Sequence, residues 1–460
     1  MIDRDLDTFR QLADSLLEAE ERQPVVKPLD TEKVMGQLQL HLHDKGIRDT
    51  ELREILENLI LHTPRTATRG FFNQLFGGRH GKAILGELLS ALLNNSMYTY
   101  KAGGPMIGVE KEILRQISLL LGYGDQSNGT IAPGGSMSNF MALLMGRDAY
   151  LQSADHPGVP GNLTLYTSKE SHYSVPKNAA FAGIGRQNVR FIATDEQGAM
   201  QVEALEKQLE ADKKAGLRPF FINATAGTTV MGAFDPLEQL ADLAEKENLW
   251  LHVDGAYCGS VIFSEQYRKL VKGAHRAHSF SLNAHKMLAV PLTCSIIVTR
   301  DPQQLYQSFA NDAEYLYQTD EDDWNPGKTS LQCGRRNDAL KFWTLWKAVG
   351  SNGLQEMVDH QFHLADVARN YIRSHPEYTL YSYDDSIGVC FNYKDIPPQE
   401  LCNKLYEEGE LMVGYGQSHG EVFIRLVTVN ASNTEEDIRQ FFQQLESFVG
   451  RHWKHSIANS

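Results

Sequence analysis

The sequence predicts an α/β protein built around a mainly parallel sheet, and two observations support this fold class. Short apolar runs recur between about residues 80 and 345, and helical segments separate them. Most of these runs do not alternate apolar with polar residues, which is typical of strands covered on both faces. Alternation of strands and helices over so long a stretch indicates an open α/β domain.

The elements follow in order along the chain. In ELREILENLILH, Leu52, Ile55, Leu56, Leu59 and Ile60 form the apolar stripe of an amphipathic helix. The N-terminal residues therefore predict helices that precede the α/β domain. The predicted strands of that domain are LTLYTS (163–168), VRFIAT (189–194), PFFINA (219–224), LWLHVD (249–254) and CSIIVT (294–299).

One helix start is marked by the sequence Phe-Asp-Pro-Leu-Glu. Asp235 can cap the helix, Pro236 suits the first helical position, and Glu238 lies where a capping box places its acid. We therefore predict a helix that begins at Pro236 and is capped by Asp235.

The C-terminal part has a different pattern. After a helix in ALKFWTLWKAVG, helical stretches near 352–374, 397–409 and 434–449 separate the short strands YTLYSY, GVCFNY and VFIRLVTV. This pattern indicates a small α+β domain. The predicted organisation is an N-terminal helical segment, a large α/β domain and this C-terminal domain, with the bounds 1–78, 79–348 and 349–460.

Charge and composition disfavour several classes of protein. The chain has 44 Lys and Arg against 58 Asp and Glu, a net charge of −14, and lacks a basic stretch, so we expect neither nucleic acid nor a membrane as a partner. No run is long and apolar enough for a transmembrane helix, and the N-terminus does not resemble a secretory signal. Five cysteines without a CxxC pair fit reduced thiols. We therefore expect a cytoplasmic protein.

A metal site is not expected either. His41 and His43, in LQLHLHDKG, have no further cluster of ligands nearby in the sequence. Polar positions on a half-buried segment explain them better than metal coordination does.

A glycine pair marks the first candidate site. Pro133-Gly134-Gly135-Ser136 follows a strand end and leads directly into a helix. Paired glycines let the backbone approach a ligand, and a helix start presents unpaired N–H groups to an anion such as a phosphate. Taken alone, the segment could also be a Gly-rich turn that Ser136 caps. It has neither the GxGxxG spacing nor the P-loop lysine, which disfavours a dinucleotide.

The second candidate is Asp254, which ends the apolar run LWLHVD and precedes the small residues Gly255 and Ala256. Ligands of open α/β sheets bind outside the carboxyl ends of the strands. A carboxylate there can pair with the protonated nitrogen of a flat heteroaromatic ring. The alternative is a carboxylate that caps the following turn.

The third candidate is Lys286, in Asn283-Ala284-His285-Lys286, among apolar and small residues. A desolvated lysine has a depressed pKa and becomes a nucleophilic amine that can bond to an aldehyde. A lone lysine is usually a solvated surface group. Together, however, the three candidates offer partners for the phosphate, the ring nitrogen and the aldehyde of pyridoxal phosphate, which is the cofactor that we predict.

A set of ordered motifs is also similar to a known family. Starting at FFNQLF (71–76), these motifs are PGGSMSNF, TSKESHYS, NATAGTTVMGAFDP, LWLHVDGAYCGS, NAHKML, QCGRRNDALKFW and the segment around Arg425. They resemble the group II pyridoxal-phosphate-dependent amino-acid decarboxylases, and within them the branch of glutamate decarboxylase and cysteine sulfinic acid decarboxylase. The resemblance implies the fold-type I architecture of aspartate aminotransferase and release of CO₂ from an acidic L-amino acid.

The resemblance also implies the roles of individual residues at the cofactor. Lys286 would hold the cofactor covalently, and Asp254 would keep its pyridine nitrogen protonated. His172 would stack on one face of the ring, Ala256 would pack on the other, and Lys286, Asp254 and His172 would be the catalytic residues. The other cofactor contacts that it implies are Gly135, Ser136, Thr225, Asn283 and His285.

At the substrate, the resemblance implies contacts from Asn73, Gln74 and Arg425. The planar guanidinium of Arg425 could pair with a carboxylate in two parallel hydrogen bonds, although a salt-bridged strand arginine is the alternative. The family is dimeric with active sites at the subunit interface, so we expect a homodimer.

Three departures from the family pattern bear on these expectations. Ala284 stands where the family commonly has a proline, and His62-Thr-Pro-Arg65 replaces a His-Pro-Arg that directly precedes Phe-Asn-Gln. The loop that carries a proton-donating tyrosine in the family is shorter here and contains Trp324. An indole is a poor acid. The proton donor therefore stays open between Tyr315, Tyr317, Lys286 and His172.

Alternative functions remain at this point. An aminotransferase would use the same cofactor but release a keto acid. A decarboxylase could instead act on 2,4-diaminobutyrate or an aromatic amino acid. A catalytically silent binding protein would not need Lys286, Asp254 and His172 together.

Overall fold

The computed structural model describes residues 2–153, 158–310 and 322–453. In these ranges the α-helices are α1 (Ile2–Arg22), α2 (Val34–Gln37), α3 (Asp49–His62), α4 (Gly81–Leu93), α5 (Tyr100–Gly103), α6 (Pro105–Leu121), α7 (Gly135–Ser153), α8 (Ser174–Phe181), α9 (Val202–Lys214), α10 (Leu237–Glu247), α11 (Ala284–Met287), α12 (Gln303–Phe309), α13 (Ala339–Ser374), α14 (Pro398–Glu407) and α15 (Glu435–His452). The strands are β1 (Asn128–Ala132), β2 (Leu163–Ser168), β3 (Val189–Ile192), β4 (Arg218–Thr225), β5 (Trp250–Gly255), β6 (Ser279–Asn283), β7 (Ser295–Thr299), β8 (Tyr378–Leu380), β9 (Gly388–Tyr393), β10 (Gly414–Ser418) and β11 (Glu421–Val427).

Contacts within the described chain define two compact units. Unit 1 combines residues up to 78 with 364–381 and those from 389 onward, and unit 2 combines 79–363 with 382–388. Helix α13 is interrupted at Gly350, whose φ of 69° and ψ of 177° are not helical. The predicted boundary between 348 and 349 falls beside this break, although 349–363 group with unit 2. The three-segment organisation stays a prediction.

Unit 2 is built on a seven-stranded sheet with the order β1-β7-β6-β5-β4-β2-β3. Strands β6, β5, β4, β2 and β3 are parallel, whereas β7 runs antiparallel to both β6 and β1. Every residue of β2, β5, β6 and β7 is buried, as expected for strands covered on both faces. The predicted α/β fold with a mainly parallel sheet is therefore confirmed.

The predicted strands of this sheet coincide with β2, β3, β4, β5 and β7 to within two residues. Strand β6 was not predicted, because its sequence SFSLN places serines among the apolar residues. Ser279 and Ser281 are nevertheless completely buried. Both hydroxyls are hydrogen-bonded inside unit 2, which makes the burial of these polar groups tolerable.

The predicted cap of helix α10 is wrong. The helix begins at Leu237 with Pro236 as its N-cap residue, and no side chain caps it. The carboxylate of Asp235 instead accepts hydrogen bonds from the backbone N–H groups of Met200 and Thr225, each at 2.7 Å. The local sequence favoured a cap, but these two buried donors lie outside the helix and take both oxygens.

Unit 1 contains a four-stranded sheet with the order β10-β11-β9-β8, in which β10–β11 and β8–β9 are antiparallel pairs. Its core buries aromatic and aliphatic side chains from β9, α14 and α15, among them Phe391, Leu401, Phe441 and Phe442. The predicted C-terminal strands correspond to β8, β9 and β11, and the predicted helices to the second part of α13, α14 and α15. Strand β10, GYGQS, was not predicted because it lacks an apolar run.

Within the described ranges, no helix is both long enough and apolar enough to cross a membrane. Likewise, no group of three or more His, Cys, Asp or Glu side chains in those ranges could hold a metal ion.

Candidate active site

A pocket in unit 2 lies at the carboxyl ends of the parallel strands, where an open α/β sheet offers its ligand site. At this edge, Thr225 and Asn283 are the last residues of β4 and β6, and Asp254 is the last residue but one of β5. Helix α7 begins there after β1, and α11 follows directly after β6. The residues that line the pocket are Gly135, Ser136, Asn139, His172, Tyr173, Thr225, Gly227, Thr229, Asp254, Ala256, Tyr257, Asn283, His285 and Lys286.

The nine residues predicted as cofactor contacts therefore all line one pocket, although they come from five separate segments of the chain. Register explains part of this convergence. Thr225 and Asp254 are partners on the adjacent parallel strands β4 and β5, and paired residues of neighbouring strands lie side by side. Their proposed roles at the cofactor stay predictions.

Asp254 is the buried carboxylate of the pocket. Its Oδ1 accepts a hydrogen bond from the backbone N–H of Ala256 at 3.0 Å, and its Oδ2 accepts one from Nδ2 of Asn139 at 2.6 Å. Two donors satisfy the carboxylate when it is ionised, which is what a partner for a protonated ring nitrogen requires.

Small residues make room at the start of α7. A Cβ atom added to Gly135 would lie 2.8 Å from Nδ2 of Asn283 and 3.1 Å from Cβ of Ala256. The backbone therefore approaches these two side chains as closely as only glycine allows. The N–H groups at the first turn of α7 lie beside the amide of Asn283, which forms a donor-rich end of the pocket that suits an anion.

Lys286 lies on the short helix α11, lines this pocket and is half-buried. Its Nζ lies 5.9 Å from the centre of the ring of Tyr257, which is itself buried. Its amine lines the same pocket as Asp254, where it can bond to an aldehyde.

Burial favours the neutral form of two imidazoles of the pocket. Burial lowers the pKa of His172, helped by the charge of Lys286 and opposed by that of Asp254. Burial also lowers the pKa of His285 to about 4. Nδ1 of His172 accepts from the backbone N–H of Ser174 at 3.2 Å, which leaves the proton of the neutral ring on Nε2.

The residues present fit pyridoxal phosphate. The hydroxyl of Thr225 is buried and has no hydrogen-bond partner within the described structure, which marks a polar position that a ligand can satisfy. The pocket also combines a donor-rich helix start for a phosphate, a carboxylate for a ring nitrogen and an amine for an aldehyde. Each functional group of this cofactor thus has a chemically matched partner.

Five pocket residues were missed by the sequence analysis: Asn139, Tyr173, Gly227, Thr229 and Tyr257. A signal for Asn139 existed, because it follows Ser136 by three positions on α7, and residues with this spacing share a helix face. Tyr257 likewise lies three residues after Asp254, within the loop that leaves β5. Loop residues at strand ends carried no distinctive pattern by themselves.

The three predicted substrate residues belong to unit 1. Arg425 lies half-buried on β11, and its guanidinium donates to the backbone oxygen of Asn73 at 2.9 Å. Gln74, the next residue, is exposed. Asn73 and Arg425 are therefore neighbours although 352 positions separate them in the chain. Their contacts with substrate, and those of Gln74, stay predictions.

Two of the three departures from the family pattern involve residues with structural contacts of their own. Arg65 is buried and donates to the backbone oxygens of Pro24 and Leu61 in unit 1. Trp324 lies against α5 and α6, with its ring in an edge contact with Tyr100 at 5.5 Å and Nζ of Lys111 5.4 Å from its centre. The indole thus fastens the segment that follows residue 321 to these helices.

The other two candidates for the proton donor, Tyr315 and Tyr317, lie outside the described residues. Of the four candidates, Lys286 and His172 line the pocket.

Comparison with known proteins identifies the family. The profile described as "Pyridoxal-dependent decarboxylase conserved domain" matches residues 33–394. The chain belongs to this family. It is a pyridoxal-phosphate-dependent amino-acid decarboxylase, as the sequence motifs predicted.

Related proteins match almost the whole length of this decarboxylase. Acidic amino acid decarboxylase GADL1 of Xenopus tropicalis is 34% identical over 96% of this chain and 91% of its own. Human cysteine sulfinic acid decarboxylase is 36% identical over 92% of this chain and 91% of its own. The crystal structure of mouse CSAD in its apo form superimposes with a TM-score of 0.91 at 32% identity and covers 96% of this chain and 97% of that one. The predicted fold-type I architecture and the predicted branch are thus confirmed.

Proposed function

We propose that this decarboxylase removes the α-carboxylate of an acidic L-amino acid, such as glutamate, aspartate or cysteine sulfinate, as CO₂ and yields the amine. The observation that carries the substrate class is the similarity to two kinds of named acidic decarboxylase over more than nine tenths of the chain. The guanidinium of Arg425 supports it, because a planar fork matches a carboxylate or sulfinate.

In the proposed reaction, the residues of the pocket have separate roles. When bound, pyridoxal phosphate supplies the electron sink for the pair released as the bond between Cα and the carboxylate breaks. Asp254 holds a proton at the pyridine nitrogen and so stabilises the charge that develops there. Lys286 would hold the aldehyde of the cofactor, and its amine lines the pocket in which the reacting carbon would lie.

The proton that replaces CO₂ at Cα needs a donor of this chain. Lys286 is the candidate that we favour, because its amine lines the pocket and would carry the proton to Cα on Nζ. His172 supports the ring from its neutral form, with the proton on Nε2. Trp324 takes no part in this step, since its ring packs against Tyr100 and Lys111.

The first test is a panel of CO₂-release assays with L-glutamate, L-aspartate, L-cysteine sulfinate, L-2,4-diaminobutyrate and L-tyrosine. We expect release from at least one of the three acidic substrates and none above background from the last two. The variant Lys286→Ala, which cannot hold the cofactor covalently, serves as the inactive control and should also lose the visible absorbance of the bound cofactor. Preferred turnover of diaminobutyrate or tyrosine would contradict the proposal.

The substrate contact of Arg425 is tested with Arg425→Ala and Arg425→Lys. We expect kcat/KM for the preferred acidic substrate to fall by about 10- to 100-fold in both, since lysine keeps the charge but not the paired geometry. The matched control is Arg439→Ala, which removes an exposed arginine of the same unit that pairs with Glu435. An unchanged kcat/KM in the Arg425 variants, or an equal loss in the control, would exclude this role.

We also propose that two copies of the chain form a homodimer. The support in unit 2 is helix α4, which exposes five leucines on one face at positions 85, 88, 89, 92 and 93. A contiguous apolar stripe of this kind marks an interaction surface. We expect sedimentation to give the mass of a dimer and the double variant Leu88→Glu, Leu92→Glu to shift it to a monomer. The exposed Leu119 of α6 provides a control, Leu119→Glu, that should remain dimeric; a wild-type monomer would refute the proposal.

A further inference from the structure

A continuous chain of buried hydrogen bonds leads away from the pocket through the sheet. Trp250, His252 and Asp254 are alternate residues of β5, so their side chains share one face. Ser279 and Ser281 of the adjacent strand β6 are the register partners of His252 and Asp254. Asn139 of α7 packs over both strands, and it joins these side chains into one network.

The distances give the order of the hydrogen bonds in this network. Nε1 of Trp250 lies 3.1 Å from Oγ of Ser279, which lies 2.9 Å from Nδ1 of His252. Nε2 of His252 lies 3.1 Å from Oδ1 of Asn139, and Nδ2 of Asn139 lies 2.6 Å from Oδ2 of Asp254. A side branch comes from Ser281, whose hydroxyl donates to the same Oδ1 at 3.0 Å.

The donor and the acceptor of each hydrogen bond follow from the residues at the two ends of this network. The indole of Trp250 can only donate, and an ionised Asp254 can only accept. The amide of Asn139 must therefore turn its NH₂ toward Asp254 and its oxygen toward His252. That oxygen requires a donor, so His252 carries its proton on Nε2 and accepts at Nδ1 from the hydroxyl of Ser279. The opposite amide orientation would place two acceptors 2.6 Å apart.

Burial makes this arrangement costly to disturb. His252 and Ser279 are completely buried, and burial lowers the pKa of His252 to about 4, so the ring stays neutral at physiological pH. In such a low-dielectric environment successive hydrogen bonds polarise one another, and an unmatched donor or acceptor is expensive.

We infer that Asn139 and His252 are positioning residues for Asp254: a one-way series of donors that begins at Trp250 fixes the orientation of this carboxylate in the pocket. Oδ1 of Asp254 accepts from the backbone N–H of Ala256, and Oδ2 accepts from the amide of Asn139. These two hydrogen bonds fix the orientation of the carboxylate plane. The inference rests on the role proposed for Asp254 at the ring nitrogen. It adds that the reaction depends on the tautomer of His252, and that this tautomer is set by residues which do not contact the reacting atoms.

The functional test compares two substitutions at one position. His252→Leu removes both ring nitrogens, whereas the amide nitrogen of Gln in His252→Gln can reach the place of Nε2 and donate to Asn139. We expect His252→Leu to lower kcat by about tenfold with KM for the substrate changed by less than about threefold. His252→Gln should recover most of kcat, and Asn139→Ala should lose at least as much as His252→Leu.

The matched control is Tyr166→Phe, which deletes a buried hydrogen bond to Asp212 elsewhere in the same sheet. If the role of His252 is only structural, Leu and Gln variants will lose similar kcat, or Tyr166→Phe will lose as much as His252→Leu. Either outcome overturns the inference. Equilibrium affinity of the cofactor-free variants for pyridoxal phosphate provides a second readout, and His252→Leu should bind it more weakly than His252→Gln does.

A spectroscopic test needs no variant to be active. In cofactor-free protein labelled with ¹⁵N-histidine, the resonances missing from His252→Gln identify this ring in the wild type. We expect the Nε2–H tautomer, unchanged across neutral pH, and the Nδ1–H tautomer or a charged ring would refute the inference. This result does not depend on the substrate, so a failure of the proposed function in the CO₂ panel and a failure of the inference can be told apart.

Discussion

Two buried carboxylates at adjacent strand ends of unit 2 contrast in what they do. Asp254 is the last residue but one of β5, and Asp235 lies beyond the end of β4, with exposures of 4% and 2%. Asp254 lines the pocket and is held by one side-chain and one backbone donor. Asp235 accepts only backbone N–H groups, those of Met200 and Thr225. The difference teaches that burial alone does not mark a functional carboxylate; its donors and the space that it faces do.

Thr225 connects the two carboxylates. Its backbone N–H donates to Asp235, while its side chain lines the pocket and pairs in register with Asp254 across the strands. Asp235 thus fixes the start of the turn that follows Thr225 at the end of β4, and Asp254 lines the same pocket as Thr225. One carboxylate supports the wall of the pocket and the other faces into it.

The largest expected effect comes from Asp254→Asn. The amide is neutral and cannot hold a proton at the ring nitrogen, so we expect kcat to fall by about 100- to 1000-fold, with a much smaller change in KM. Steady-state kinetics with the preferred acidic substrate measures this. The contrast between the two carboxylates would break down if Asp235→Asn reduced kcat by the same factor.

Asp235→Asn should act on stability instead. The amide keeps one acceptor oxygen but presents NH₂ to a backbone N–H, so one buried donor loses its partner. We expect the free energy of unfolding at pH 8 to fall by about 1–3 kcal/mol, with kcat at saturating cofactor reduced by less than about threefold. Urea denaturation followed by circular dichroism gives the first value. A variant as stable as the wild type would show that Asp235 does not hold the turn.

The pH dependence of stability also tests the environment of Asp235. Burial raises the pKa of Asp235 to about 7 from its ordinary 3.8, and Asp195 adds to the rise, while its two backbone donors oppose it. The folded protein therefore binds a proton here that the unfolded chain has already lost. Stability from this group is highest below pH 3.8 and is lost as pH rises toward about 7. The stability of the wild type relative to Asp235→Asn should decline across that window, and an increase would contradict the raised pKa.

The smallest expected effect is that of Thr225→Val. The change removes a buried hydroxyl that lacks a partner and keeps the backbone N–H that binds Asp235. We therefore expect the cofactor-free protein to keep or raise its melting temperature, while its affinity for pyridoxal phosphate falls by about 2- to 10-fold. Loss of melting temperature without loss of affinity would assign Thr225 to the wall and not to the ligand.

Much of unit 2 could be predicted because its strands are apolar throughout. Five strands of the sheet were placed from composition alone, since a strand covered on both faces has little choice of residues. Strand β6 was not predicted, because the burial of Ser279 and Ser281 depends on their hydrogen bonds to Trp250 and Asn139. Such partners are 29 and 142 positions away, beyond the reach of any local pattern.

The residues of the candidate site likewise fall into a group that the sequence predicted and a group that it did not. The residues with distinctive chemistry, Lys286, Asp254 and the glycine pair, were recognisable because each stood at a strand end or helix start. Asn139 and Tyr257 were not, because an amide or a phenol in those positions has many structural uses. The predicted cap at Asp235 failed for a related reason: a short-range motif competed with two buried donors that only the fold supplies.

By itself, the sequence determined the class of the sheet, the identity of the cofactor and nine residues that line one pocket. Periodicity and residue chemistry act locally, and strand ends are where an α/β sheet puts its ligand. Only the tertiary structure decided that Asp235 binds two distant backbone N–H groups instead of a helix start, which way the Asn139 amide points and which nitrogen of His252 carries the proton. Those choices follow from hydrogen bonds between residues far apart in the chain, and the satisfaction of buried polar groups is a property of the assembled fold.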